Sequence, residues 1–443
     1  MRVSSHGLSI GDVAQLSHRR QIVLDLVDGG CRTPRRRPIE TCAALRCRIA
    51  LQLFVIGDAA GDGAHHVEDD LATLRELGSV PDRHAVRGHA HYLLGLNDAL
   101  RRSVTMRWAR GRSRWRPEDG LTRVTPAIAD ILKTQRLAQR PYSVSALQKF
   151  TTCPYQFALS AIYRLEPNDA PEPLQRLDPL MRGALFHEAQ AQLMRVLHAE
   201  NRLPVTDPGT GYALEVLDRV LGEVAAKYEE ELAPAIARVW RDEIAAIGLD
   251  LRMWVRRLPA AAEWTPEYFE FSFGLSDEGR DQRSVADPAV IANGFKLRGA
   301  VDVIETHGQS PALRITDHKT GRNRTTPRTV IGGGATLQPV VYGLAIEQVL
   351  GRPVREGRLY YCTAAGGFAE HPVPLSDANR RAAIEALEII DRAIELGFLP
   401  AAPAERACTW CDFRPICGPD ASRHAARKPA DQLADLTALR AMP

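Results

Sequence analysis

The sequence predicts an α/β fold, a compact core in which helices precede a strand meander and a helix–strand–helix run closes the domain. Three observations predict it. Apolar residues recur at helical spacing from 141 to 257, the period drops to two between 267 and 320, and helical and strand patterns alternate from 337 to 397. The sequence contains no internal repeat.

Each element has a local reason. "HYLLGLNDALRRSV" (91–104) has helical spacing, and the arginine- and tryptophan-rich "RWARGRSRWRPEDG" after it reads as a solvated connector, with a phosphate-touching surface as the alternative. "YSVSALQKFTTCPYQFAL" opens on Ser143, placed as a helix N-cap. "PNDAPEPLQRLDP" (167–179) is a loop, "MRGALFHEAQAQLMRVL" an amphipathic helix, and 211–257 one or two more helices. "EYFEFSFGL" (267–275) alternates as a strand does, and "SDEGRDQRSVADP" is a loop. "KLRGAVDVIET" (296–306) and "ALRITDHKT" (312–320) are strands joined by a short turn containing Gly308. "LQPVVYGLAIEQVLG" is a helix stopped by Gly351, "GRLYYCTA" a strand, and "DANRRAAIEALEIIDRAIELG" a long helix capped by Asp377. Residues 1–90 hold no periodicity for long; "RIALQLFVIGD" has the composition of a strand.

The totals narrow the function. A chain of 443 residues has room for two or three domains. No stretch approaches the ~20 apolar residues that span a bilayer, and the first residues lack a signal-peptide core, so the expected location is the cytoplasm. The net charge of +3 makes no case for nucleic acid by itself. Only six lysines accompany the many arginines, so a lysine kept at 319 beside an acid marks a place where an ammonium is wanted.

The chemistry gathers on two strands. Asp302 lies on one, and Asp317 and Lys319 on the next, where their spacing of two sends both side chains off one face. Antiparallel pairing brings the two acids together, and close carboxylates repel unless a divalent cation lies between them. Oxygen ligands suit Mg²⁺ or Mn²⁺, which polarises a phosphoryl oxygen; Lys319 orients or deprotonates water, or neutralises growing charge. The bland alternative is an exposed Asp–Lys pair at a strand end. A second centre is "CTWCDFRPIC", which crowds Cys408, Cys411 and Cys417 into C-x-x-C-x(5)-C and reads as metal or cluster ligation; Cys153 lies 255 residues earlier.

Asp302, fourteen residues and then Asp317-His318-Lys319 resemble the PD-(D/E)XK nuclease superfamily, with Val301 where that family usually has proline. "RGALFHE" resembles the G-x-x-x-H helix motif of its RecB-like branch, and "QPVVY" its Q-x-x-x-Y motif. The resemblance spans roughly 141–420 and implies a restriction-endonuclease-like core, a mixed central sheet flanked by helices with a helical insertion. It implies that His187, Asp302 and Asp317 bind the metal, that Lys319 assists catalysis, and that Gln338 and Tyr342 contact the DNA strand near the cut. One cysteine before the core and three after it resemble the iron–sulfur nucleases of the AddB type, implying a structural [4Fe–4S] cluster on Cys153, Cys408, Cys411 and Cys417, with Zn²⁺ as the alternative.

The expected organisation is therefore 1–90 unassigned, 91–140 a basic connector, 141–420 the nuclease domain and 421–443 a tail. The histidine-rich "GAHHVEDD" and "HAVRGHAHY" sit in loop-like context and are not read as metal sites; "GGG" (332–334) is not a phosphate loop, since no Walker motif occurs. Arg322, Arg324 and Arg328 follow the lysine as a DNA-facing loop. The expected activity is a metal-dependent (exo)deoxyribonuclease acting on DNA single strands or ends in double-strand-break repair, alongside a separate helicase. The alternative is a catalytically silent DNA-end-binding subunit.

Overall fold

The computed structural model describes residues 94–166, 174–276 and 279–443. The strand-like "RIALQLFVIGD" and both histidine-rich stretches lie outside these residues. Ala109–Pro443 form one compact unit; Met1–Trp108 form another, whose described residues are largely helical. Among the described residues no helix is long and apolar enough to cross a membrane.

The larger unit is built on a mixed sheet of seven strands: β1 (Tyr142–Ser143), β2 (Trp264–Phe273), β3 (Ala289–Val290), β4 (Lys296–His307), β5 (Ser310–Lys319), β6 (Val354–Tyr361) and β7 (Glu370–Pro374). The order is β1-β4-β5-β6-β7, with β2 and β3 also paired to β4. The strands β4 and β5 are antiparallel, and β5 and β6 are parallel. A parallel pair needs a crossover, supplied by a helix over Gln338–Leu350. Helices cover both faces. On one, α1 (Val144–Thr152), α5 (Gln338–Leu350) and α6 (Asp377–Glu395) pack over Leu297, Val301, Ile304 and Ile315. On the other, α2 (Pro179–Ala199), α3 (Thr210–Leu232) and α4 (Ala237–Val255) pack over Phe269, Val303 and Tyr360. This is the mixed sheet flanked by helices that the sequence led us to expect.

The strand register behind the site is locked by buried charge. Glu305 of β4 accepts from Arg314 (2.7 and 2.8 Å) and Thr316 (2.7 Å) of β5 and from Arg358 of β6 (3.2 and 3.3 Å). Burial alone would raise its pKa, but the two guanidiniums and these bonds lower it to about 2. A one-residue slip of any of these strands would leave a buried charge unpaired. Gly357 lets α5 lie close on β6, since a Cβ there would stand 2.1 Å from the Pro339 carbonyl oxygen.

Four readings are corrected. The helix beginning at Ser143, which does cap Ala146 N (3.2 Å), stops at Thr152; Cys153 is extended because Pro154 excludes the helical region before it. The long helix is capped by Ser376, not Asp377, which sits in the first turn where a negative charge suits the helix dipole. Three strands lie outside the expected elements: β1 and β3 are too short to show a period, and β7, "EHPVP", is an edge strand, where proline is tolerated. The tryptophan-rich stretch is no solvated connector. Trp115 is buried and donates to Pro429 O (3.1 Å), and Arg110 donates to Ile416 O (2.7 Å).

Asp119 and Lys428 form the closure of this arrangement. Both side chains are buried, 2.9 Å apart, and Lys428 also donates to the carbonyls of Arg112 and Arg114. Removing one partner of such a pair leaves an uncompensated charge. Lys428→Met is therefore expected to lower stability by about 3–5 kcal/mol, read from the urea midpoint, and Asp119→Asn in that background to restore part of it.

Candidate active site

The site is assembled where β4 and β5 run together. Val303 faces Thr316, so the next pair along the strands is Asp302 and Asp317. Asp302 Oδ2 accepts from the backbone N–H of His318 (2.6 Å) and lies 3.3 Å from His187 Nδ1. His187 reaches it from α2, whose start is fixed by the Asp178 cap on Met181 N (2.7 Å). Gly183, one turn before His187, faces Thr320 at the end of β5.

Asp317 is held from the other side. Lys319 forms an ion pair with its Oδ2, although no well-aligned hydrogen bond reaches that buried oxygen. Gln338, the first residue of α5, bridges the two: its Nε2 donates to Asp317 Oδ1 (2.9 Å), and its Oε1 accepts from Lys319 Nζ (2.7 Å). Tyr342, one turn further on, is buried. Its ring packs 6.0 Å edge-on to Phe273 and against Gly299, where a Cβ would come within 2.8 Å of it.

A third carboxylate, unread in the sequence, completes the centre. Glu270 of β2 lies opposite Asp302, between the pairs Phe269↔Val303 and Phe271↔Val301. Phe269 and Val303 point into one helical layer, Phe271 and Val301 into the other. Residues two apart on a strand normally share a face, so the alternation reverses in both strands at the two acids. Glu270 takes up this reversal with a φ of +56°, a conformation uncommon for a side-chain-bearing residue. His187, Glu270 and Asp302 each offer a ligand atom, all within 4.8 Å of one another, and no other such trio occurs among the described residues. The signal in the sequence was only an acid between two phenylalanines.

The electrostatics fit a cation. Burial and the Asp302 charge push Glu270 up to about 7. Burial opposes the charged form of His187, but Asp302 outweighs it and raises the imidazole to about 9. Burial would also raise Asp302, yet His187 and the His318 amide hold it well below the usual carboxylate range. Asp317 is raised by burial, with Lys319 opposing and Asp302 adding. An imidazole nitrogen with two carboxylates, beside a buried Asp317 oxygen, is a donor set that suits Mg²⁺ or Mn²⁺.

The cysteines gather elsewhere. Cys153, Cys408, Cys411 and Cys417 line one cavity with Leu159 and Phe413. Burial pushes Cys153 up to about 12 and raises Cys411 and Cys417. The backbone N–H groups of Tyr155 and Gln156, at the start of the short helix Pro154–Phe157, favour a Cys153 thiolate. Thiols so placed become thiolates only when a cationic centre holds them.

The sequence model of the PD-(D/E)XK nuclease superfamily matches residues 141–418. No curated protein matches the chain.

Metal binding should release protons, because a ligating His187 must be neutral and a ligating Glu270 ionised. Neighbouring charge raises His187, and burial raises Glu270, so acid opposes binding. Titrated calorimetrically, Mn²⁺ affinity is expected to fall about tenfold per pH unit from 9 to 7 and more steeply below 7; His187→Ala should remove the upper limb.

Proposed function

The chain belongs to the PD-(D/E)XK nuclease superfamily, and on that premise we propose that it is a Mg²⁺- or Mn²⁺-dependent deoxyribonuclease of the RecB/AddB-like branch. The observation that carries the reading is the meeting of His187, Glu270 and Asp302 within 4.8 Å, beside the Asp317–Lys319–Gln338 bridge. In this reading His187, Glu270 and Asp302 hold the ion, with Asp317 at its edge. The ion supplies positive charge to a scissile phosphodiester and lowers the pKa of an attacking water. Lys319, fixed by Gln338 and Asp317, sets an ammonium against the negative charge that grows on the phosphate. Tyr342 is the wall of the pocket, and Gln338 the brace of the lysine rather than a strand contact alone.

The substrate is DNA, engaged as single strands or ends during double-strand-break repair beside a separate helicase. Support comes from Arg322, Arg324 and Arg328, exposed on the loop that leaves β5 directly after Lys319, where they suit backbone phosphates. The four cysteines hold a [4Fe–4S] cluster whose role is structural. Zn²⁺ is the alternative occupant, since four thiolates also bind zinc tetrahedrally. The effect of the cluster is to tie the turn at Cys153 to the segment 408–417.

Asp317→Ala should reduce cleavage of a single-stranded oligonucleotide by about 10²–10³-fold or more while binding of the same DNA persists; cleavage that survives in pure protein overturns the assignment. Anaerobic purification should give a brown, iron-bearing protein that Cys153→Ser renders colourless, whereas a colourless wild type carrying zinc overturns the cluster.

A further inference from the structure

Arg140, Arg164 and Arg298 come together at the start of β4, and the metal centre uses none of them. β1 pairs there with β4, Tyr142 beside Leu297 and Ser143 beside Arg298. The Arg140 guanidinium lies over the Tyr142 ring at 4.9 Å, donates to Ala161 O (2.7 Å) and bonds to the Gln135 amide oxygen. Three residues past that carbonyl stands Arg164, exposed and held at a φ of +55°. The turn that leads to it, Ala158–Ile162, is π-helical, a distortion frequent at functional sites. Tyr163, between the two, is 62% exposed.

Like charges so placed repel. Burial lowers the pKa of Arg140, Tyr142 opposes, and the charges of Arg164 and Arg298 add to the lowering. Among the described residues none of the three arginines forms an ion pair with a carboxylate. Asp391, whose charge reaches Tyr142, is taken by Arg136 and by the Leu137 amide. Guanidiniums gathered without an acid to offset them suit an anion, and three of them suit a chain of anions.

The cluster is aligned with the metal centre. Leu297 and Val301 point into the layer of α1, α5 and α6, and Gly299 meets Tyr342 there. Arg298 therefore faces the other side of the sheet, the side from which α2 brings His187 to Asp302. Asp302 is four residues further along β4, about 13 Å at the rise of a strand.

We propose that Arg140, Arg164 and Arg298 form a phosphate-binding track for single-stranded DNA on the approach to the metal centre, with Tyr163 offering its ring to a base. The inference rests on the nuclease reading above and adds a second contact surface to the arginines that follow Lys319. Successive phosphates repel one another as the guanidiniums do, and pairing relieves both sets. An exposed aromatic ring next to Arg164 in the chain favours a single strand, whose base faces are open to stacking, over a duplex.

Salt dependence tests the track. Binding of a fluorescein-labelled oligothymidylate to the full chain is followed by anisotropy across a salt series, in EDTA to prevent cleavage. The logarithm of affinity falls against the logarithm of salt with a slope of about −0.7 per phosphate neutralised on a single strand. Arg164→Gln combined with Arg298→Gln is expected to make the slope shallower by about 1.4 and to weaken binding at low salt, with the urea midpoint of wild type. Arg164→Lys with Arg298→Lys should keep the slope, and Tyr163→Ala should weaken binding about 5–100-fold at constant slope. Arg140 stays in place, because its side chain also ties Ala161. The track is overturned if the glutamine pair leaves the slope unchanged, or if the slope changes for duplex DNA and not for the single strand; an indifferent Tyr163→Ala overturns the stacking. A wild type that binds the strand but cleaves none of it with Mg²⁺ or Mn²⁺ defeats the nuclease reading and not the track, whereas normal cleavage with an unaltered slope in the glutamine pair defeats only the track.

Discussion

Three carboxylates brought together in a poorly hydrated place constrain the rest of this molecule. Asp302, Asp317 and Glu270 would repel one another and resist burial, and each is steadied by a group from a different element. Asp302 leans on the His318 amide and on His187 from α2, Asp317 on Lys319 and Gln338, and Glu270 on Arg280. None of these partners is a neighbour on the same strand segment except Lys319. The sheet must therefore hold its register, and the Glu305–Arg314–Arg358 lock on β4, β5 and β6 does so from behind. The reversal of side-chain alternation at Glu270 and Asp302 is the local strain this arrangement requires.

How far the sequence disclosed all this depends on the length of each signal. The strands β2, β4 and β5 are ten to twelve residues long, enough for a period of two to stand out, and the long helices were equally plain. Strands of two residues have no period to read. The helix break at Cys153 was written in Cys153-Pro154 and passed over, because apolar spacing runs on through it. At the site, Asp302, Asp317 and Lys319 were legible because strand geometry converts their spacing into proximity. Glu270 and Arg280 were not. Glu270 enters only because β2 pairs with β4 in one register and reverses its pleat there, and Arg280 only because a loop folds back along β2. Both are products of tertiary pairing, which no local pattern encodes.

Two devices join distant parts of the larger unit, and they differ in kind. Cys153 lines one cavity with Cys408, Cys411 and Cys417, which puts the turn before Pro154 against the segment 408–417. The Asp119–Lys428 pair seals the tryptophan-bearing stretch beneath the C-terminal segment, with Trp115 lying under the Lys428 ammonium at 5.3 Å. Burial acts on Asp119 to raise its pKa, and the ammonium opposes it.

That pair is separated by 309 positions along the chain. A ribosome delivers the acid long before it delivers the base. Until the lysine emerges, Asp119 lacks the ammonium that pairs with it in the interior, and Trp115 lacks its acceptor at Pro429, so the stretch around the indole stays open on the nascent polypeptide. Final closure of this unit is thus a late, post-synthetic event, and a chain interrupted before Lys428 would present that surface to the cell's chaperones and proteases.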